Sequence, residues 1–366
     1  MSAPSPRRFL TPGGAHNATP PRIVFGSGAV AGLAEEVARL GVTRALVVTT
    51  PGRVALGRQL QDLIGDAAVG VLPEAVSQVP IELAERGRRH AVQLGADCLV
   101  AVGGGAATGL CKGIALHHPL PVIAVPTTYS GSEMTAFCGI TIDGVKRMHR
   151  SLDMLASTVV YDPDLSLGLP AAVTASSTMN ALAHCIDGIW QPTLSPLVAH
   201  AAAEGAAVLV GALPRVLADP ADLVGRTELL YGAHLAGGVL AGGFTLQHAI
   251  AHTLGGSFGI EHGLAHSLVL PHVTRHLETV VPDLMSPIGT ALGTGDVAGT
   301  VADLARGSGL PTSLLEVGLT AADVERAVDI TMSSEPDPDG RVPVTADVVR
   351  TILLSALHGE SAGARR

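Results

Sequence analysis

The sequence predicts an α/β domain followed by an all-helical domain, and three observations predict it. Short β-rich runs alternate with helical stretches through the first part of the chain, the signature of a parallel sheet with crossover helices. From about Pro163 helical stretches follow one another with little strand signal. At 366 residues the chain is also too long for one ordinary core. The boundary is expected near Asp162, giving 1–162 and 163–366.

In order, strands are expected at Arg22–Phe25, Arg44–Thr49, Gly70–Leu72, Cys98–Val102 and Pro121–Val125. Helices are expected between them at Val30–Leu40, Arg53–Ile64, Ile81–Leu94 and Ala106–Leu116. The second part is read as helices at Ala171–Trp190, Pro196–Leu217, Ala221–Ala241, Leu246–Gly255 and His266–Leu277, with a helical tail over Asp296–Leu357. Gly255-Gly256 is expected to break the fourth of these. Hydrophobic residues make up 47% of the chain but aromatics only 2%, so Ala, Val and Leu must fill the cores.

The net charge of −9, with no basic block, excludes a nucleic-acid surface. An anionic ligand needs only a local positive site. Residues 1–20 hold arginines but no apolar segment of the kind a secretory signal requires, and the four cysteines form no C-x-x-C pair. A cytoplasmic protein is expected. Leu229–Leu246 is the stretch apolar enough to suggest a membrane span, but it carries His234 and many glycines, so a buried core helix is the better reading.

Two features carry chemistry. The strand Cys98–Val102 runs into Gly103-Gly104-Gly105 and then a helix. Glycines let the chain approach a ligand closely, and free N–H groups at a helix start favour phosphate. Thr108 stands where the last glycine of G-x-G-x-x-G would be, so this is not that fingerprint. The second feature is histidine. Seven of the fifteen fall between His234 and His276. His248 and His252 share a helix face, as do Asn180 and His184 on an earlier helix, and His262 follows in a loop. Two such pairs and a loop histidine can converge in a bundle as metal sites do. His234, His272 and His276 read as ordinary core or surface histidines.

These residues resemble the iron-containing alcohol dehydrogenase family, and within it the metal-independent maleylacetate reductase branch. The resemblance runs from Pro21–Gly28 through Gly103–Gly105, Pro126–Thr135, Met179–His184 and His252–Phe258 to Leu270-Pro271-His272. It implies a Rossmann-like nucleotide-binding domain and a helical domain, the dehydroquinate synthase-like architecture, and a homodimer. It implies NADH or NADPH as cofactor, with Thr50, Gly103, Gly104, Gly105, Thr127, Thr128, Ser132 and Lys146 in its site. The metal position of the family falls on Asn180, His184, His248 and His262. An Asn where metal-dependent members have Asp implies no metal, although three imidazoles alone can hold zinc. His252 matches a histidine near the nicotinamide.

The expected activity is reduction of a carbonyl or conjugated enone, with a small carboxylate such as maleylacetate going to 3-oxoadipate. His184, His248, His252, His262 and Asn180 form the catalytic set, and Tyr129, Arg147, Arg150 and Arg341 are the substrate candidates. Departures fall on the substrate side: Gln78 replaces an expected His, Gln247–Ile250 and Glu261–Gly263 look more like ordinary alcohol dehydrogenases, and a proline-rich pattern near Pro336–Pro343 is largely missing. Two alternatives stay open: a metal-dependent alcohol dehydrogenase using iron or zinc, and a non-redox enzyme on the same fold.

Overall fold

A computed structural model describes residues 21–191, 194–243, 245–334 and 344–359. Arg341 and the whole Pro336–Pro343 segment lie outside the described residues. Eight strands and thirteen helices are described. The strands are β1 (Arg22–Phe25), β2 (Ala45–Thr49), β3 (Ala68–Leu72), β4 (Cys98–Gly103), β5 (Val122–Pro126), β6 (Phe137–Ile142), β7 (Val145–Arg150) and β8 (Thr158–Tyr161).

Six of these form a wholly parallel sheet in the order β1-β8-β5-β4-β2-β3. The helices α1 (Leu33–Arg39), α2 (Val54–Ile64), α3 (Ile81–Gln93) and α4 (Gly105–Ala115) connect the early strands. Strand alternation divides the core cleanly. Leu46, Val48, Leu99 and Ala101 pack on one face with α3 and α4, while Ala45, Val47, Cys98, Val100 and Val102 pack on the other with α1 and α2. Both faces are covered, so β2, β4 and β5 are apolar and buried throughout.

Two elements differ from expectation. Residues 137–150 form an antiparallel hairpin, β6–β7, turning at Asp143-Gly144, both with positive φ. β8 inserts between β1 and β5 in the sheet. The hairpin was not anticipated, because β7 reads Val-Lys-Arg-Met-His-Arg and is too polar to announce a strand; β8 was not anticipated either, although its Thr-Val-Val-Tyr run is apolar and buried.

After β8 come α5 (Ala171–Gly188), α6 (Pro196–Ala218), α7 (Leu223–Leu240), α8 (Leu246–Phe258), α9 (His262–Val280), α10 (Pro282–Leu292), α11 (Val297–Gly307), α12 (Ala321–Ser333) and α13 (Ala346–His358). Start signals are explicit. Ser195 and Asp222 cap α6 and α7 by accepting from Val198 N and Gly225 N, and Glu261 caps α9 by accepting from Gly263 N and Leu264 N. Gly255-Gly256 does not break α8, which runs on to Phe258 and ends at the left-handed Gly259. Helical glycine costs only about 1 kcal/mol, which packing readily offsets. Leu229–Leu246 is not one helix either: α7 ends at Leu240 and α8 begins at Leu246. Among the described residues, the helix with the length and composition of a membrane span is instead α6, and it packs against α5, α7 and α10.

Candidate active site

The carboxyl ends of β2 and β4 and the helices α5, α8 and α9 enclose a cleft of about 380 Å³. Thr50, at the end of β2, lines it. So do Gly104 and Gly105, where β4 turns into α4. Gly103 has φ +145, a backbone state that side chains disfavour. A methyl group on Gly104 would sit 2.6 Å from Thr128 Oγ1 and 2.9 Å from its Cγ2. No side chain caps α4 and its first turn has no acidic residue, so its N–H groups face the cleft as an anion cradle. This cradle fits a dinucleotide pyrophosphate. Thr128, Ser130 and Ser132 continue the same wall. Thr127 is buried beneath it, its N–H bonded to Gly103 O.

The opposite wall is histidine. Asn180, His184, His248, His252 and His262 all line the cleft. His184 and His248 stack with centroids 5.0 Å apart, and His252 and His262 stack at 5.6 Å. Behind them His266, fully buried, meets His248 at 4.5 Å and His262 at 4.7 Å. The sequence reading missed His266, although it lies four residues after His262 and so on the same helix face. Desolvation is the main cause that drives the pKa values of His184, His252 and His266 well below the ordinary imidazole value, and that of His262 to about 3. Mutual repulsion adds to each, and the Lys146 ammonium presses further on His252 and His262.

Two side chains to which the sequence reading gave no role in the site set ring orientation. Asp187 Oδ2 lies 2.6 Å from His248 Nδ1. The carboxylate also accepts from Thr245 N, Thr245 Oγ1 and Gln247 N. Burial raises its pKa, but these bonds more than offset that and hold it below the usual carboxylate value. The Asp187 carboxylate thus anchors the Nδ1 edge of the His248 ring and fixes its orientation. Gln247 Nε2 lies 3.1 Å from His266 Nδ1 and can donate to it, which leaves the His266 proton on Nε2. The signal for Asp187 was available: it falls three residues after His184, on the same face of α5.

Asn180 Oδ1 is buried with no hydrogen-bond partner among the described residues. A neutral amide is a weak anchor for a cation, and the set of Asn180, His184, His248 and His262 has no carboxylate ligand. Among the described residues no group of three or more His, Cys, Asp or Glu is arranged to hold a metal ion. The residues present do not fit the family's iron.

The substrate expectations need correction. Tyr129 is fully buried, and its hydroxyl accepts from Arg226 Nη1 at 3.1 Å. It pins the loop to α7, and its neighbours Thr128 and Ser130 face the cleft instead. Arg147 is exposed and does not line the cleft, because strand alternation turns Lys146 and Met148 inward and Arg147 outward. Arg150 is exposed at the strand end, its guanidinium 5.2 Å over the Phe137 ring. Gln78 lines the cleft with φ +67, followed by Val79 at φ +32. His234, His272 and His276 lie outside it, as expected.

Comparison with known proteins follows the geometry. Residues 20–163 match the iron-containing alcohol dehydrogenase family, and residues 174–357 match its C-terminal counterpart. The maleylacetate reductase of Burkholderia cepacia is 43% identical over 93% of this chain and 96% of its own. That of Pseudomonas sp. strain P51 is 38% identical over 94% and 98%. Among solved structures, a putative alcohol dehydrogenase from Ralstonia eutropha JMP134 superposes with a TM-score of 0.91 at 41% identity, covering 96% of this chain and 99% of its own. Maleylacetate reductase from Rhizobium sp. strain MTP-10005 superposes with a TM-score of 0.90 at 36% identity, covering 96% and 100%.

Proposed function

The chain belongs to the iron-containing alcohol dehydrogenase family and is an oxidoreductase, and from that premise we propose that it is a maleylacetate reductase using NADH or NADPH without an active-site metal. The observation that carries this reading is the cleft itself. One wall is a glycine-turn anion cradle, and the other is a cluster of buried and half-buried histidines in which a neutral amide, Asn180, takes the place of an anionic ligand.

A reduced nicotinamide bound along the first wall supplies a hydride. The chain's own residues do the rest. Gly104, Gly105 and the α4 N-terminus hold the pyrophosphate, while Thr128, Ser130 and Ser132 line the path toward the histidines. As the enone accepts a hydride, negative charge grows on its carbonyl oxygen. Imidazole N–H groups are the donors available to stabilise that charge. Burial keeps His184, His252, His262 and His266 neutral at pH 7, so they act as hydrogen-bond donors and not as imidazolium acids. Growing charge on the substrate raises the basicity of whichever ring it touches, so that ring takes up a proton from solvent and passes it to the enolate that hydride addition leaves, returning to the neutral imidazole.

The test is loss of reduced-nicotinamide absorbance with maleylacetate, using protein exhaustively treated with chelator. Activity should persist, and purified protein should hold well under one equivalent of transition metal. Activity lost on chelation and restored by iron or zinc would instead make this a metal-dependent alcohol dehydrogenase of the same fold.

A further inference from the structure

Two consecutive residues at the cleft hold backbone states that side chains disfavour: Gln78 has φ +67 and Val79 has φ +32. Neither is glycine, so their surroundings must impose the bend. Three contacts do so. The Val79 side chain fills a notch that Gly109 and Gly113 cut on one face of α4. A methyl group at 109 would lie 2.8 Å from Val79 Cγ2, and one at 113 would lie 3.5 Å from Val79 Cγ1. Thr141 of β6 donates from its N–H to Val79 O at 3.0 Å and from Oγ1 to Gln78 O at 2.6 Å. Pro80 then caps the start of α3.

This clamp sends the Gln78 side chain across the cleft to the histidine wall. A methyl group on Gly255 of α8 would lie 3.7 Å from Gln78 Nε2. Gly255 follows His248 and His252 at helical spacing, so the three share one face of α8. The amide therefore rests about 4.5 Å along the helix axis from His252, a reach that a short dicarboxylate spans. Gln78 is half-buried, and its amide makes no hydrogen bond to any of the described residues. Both of its N–H donors are open to a ligand, and a half-buried donor gains from an acceptor that satisfies it. Maleylacetate carries two carboxylates, and among the described residues no arginine lines the cleft. Lys112 spends its ammonium protons on Ser132 O, Thr135 Oγ1 and Phe137 O.

We propose that Gln78 is a specificity-determining residue whose amide N–H groups receive a carboxylate of the substrate, at the His252 end of the α8 row. This deepens the maleylacetate reading and rests on it for the identity of the substrate. The chemistry recognised is an sp² oxygen, which the carboxamide of the nicotinamide also offers. The amide lies against the histidine wall while the glycine cradle lies on the opposite one, and this favours the substrate.

The test titrates maleate, a dicarboxylate without the ketone, by calorimetry into the enzyme with NAD⁺ bound, beside steady-state kinetics with maleylacetate. Gln78→Leu keeps the bulk and removes the donors. It should weaken maleate binding and raise KM at least about tenfold, or about 1.4 kcal/mol, with a much smaller change in kcat. Gln78→Glu keeps the shape and adds a negative charge, so it should weaken both further than Gln78→Leu does. NADH affinity, followed by nicotinamide fluorescence, should stay unchanged in both variants. Equal losses in the two variants would make Gln78 a strap between the walls, and a matching loss of NADH affinity would assign it to the cofactor; either result overturns the proposal. Maleate binding that is absent from the wild type, or unaltered in both variants, would overturn it as well. Maleate binding that depends on Gln78 in a protein unable to reduce maleylacetate would sink the proposed function and leave this site standing.

Discussion

The His248 ring set by Asp187 is where single residues matter most. Asp187→Asn keeps the size of the side chain but removes the charge that orients the His248 ring. It should lower kcat by roughly 10- to 100-fold, the usual worth of a group that orients an active ring. NADH affinity should not change, because the glycine cradle lies on the other wall. Replacing His248 or His252 by Ala should cost more, roughly 10²- to 10⁴-fold in kcat. His276→Ala is the control, since His276 is on α9 but outside the cleft. Steady-state kinetics with maleylacetate decides, and equal small effects at all these positions would mean that the cluster is structural. Thr50 governs a second choice. It lines the cleft at the end of β2, carries no charge, and has half-buried Arg53 close behind it. NADPH should therefore be accepted along with NADH, and Thr50→Asp should shift preference toward NADH by repelling a 2′-phosphate. An unaltered preference ratio would show that the ribose lies elsewhere.

At the scale of elements, the turn between β4 and α4 makes the most local prediction. Gly104→Val should weaken nicotinamide binding at least about tenfold. The reason is sharper than crowding of the phosphate alone, because the new side chain would first collide with Thr128, the next residue along the cofactor wall. Calorimetry that shows unchanged affinity would remove the cradle assignment. This turn is legible in the sequence because three glycines between an apolar run and a helix clear every side chain from the place where a phosphate must come close. The β6–β7 hairpin was not read, although Asp143-Gly144 is a strong hairpin signal. Its second strand is polar because it is stabilised by one neighbour and by the cleft, not by burial in a sheet. That error spread to the substrate side. Without the strand, alternation could not turn Arg147 outward, and Arg147 was therefore expected at the substrate. His266 was missed for a related reason, since α9 was expected to begin at 266 and in fact begins at His262. One extra turn puts both imidazoles on the same face.

For the molecule as a whole, burying so many imidazoles has a consequence for stability. His184, His252, His262, His266 and His272 all have lowered pKa values in the folded state, with burial as the main cause; His262 is near 3 and His272 near 4. In the unfolded chain each returns to about 6.5. Between those limits the unfolded chain binds protons that the folded chain does not. The histidine contribution is thus fully present above about pH 6.5 and is lost as pH falls toward the folded values, with a slope of up to about 1.4 kcal/mol per pH unit for each histidine. Urea denaturation at about pH 7.5, 6.5 and 5.5 should show the midpoint falling between the last two, before most carboxylates begin to titrate. His272 lies outside the cleft, so His272→Gln offers a clean check: it should flatten the slope by about one proton while leaving maleylacetate turnover intact. A midpoint independent of pH across this range would mean that the histidine wall is hydrated in solution, and the neutral-donor chemistry assigned to it would then fail along with the stability argument.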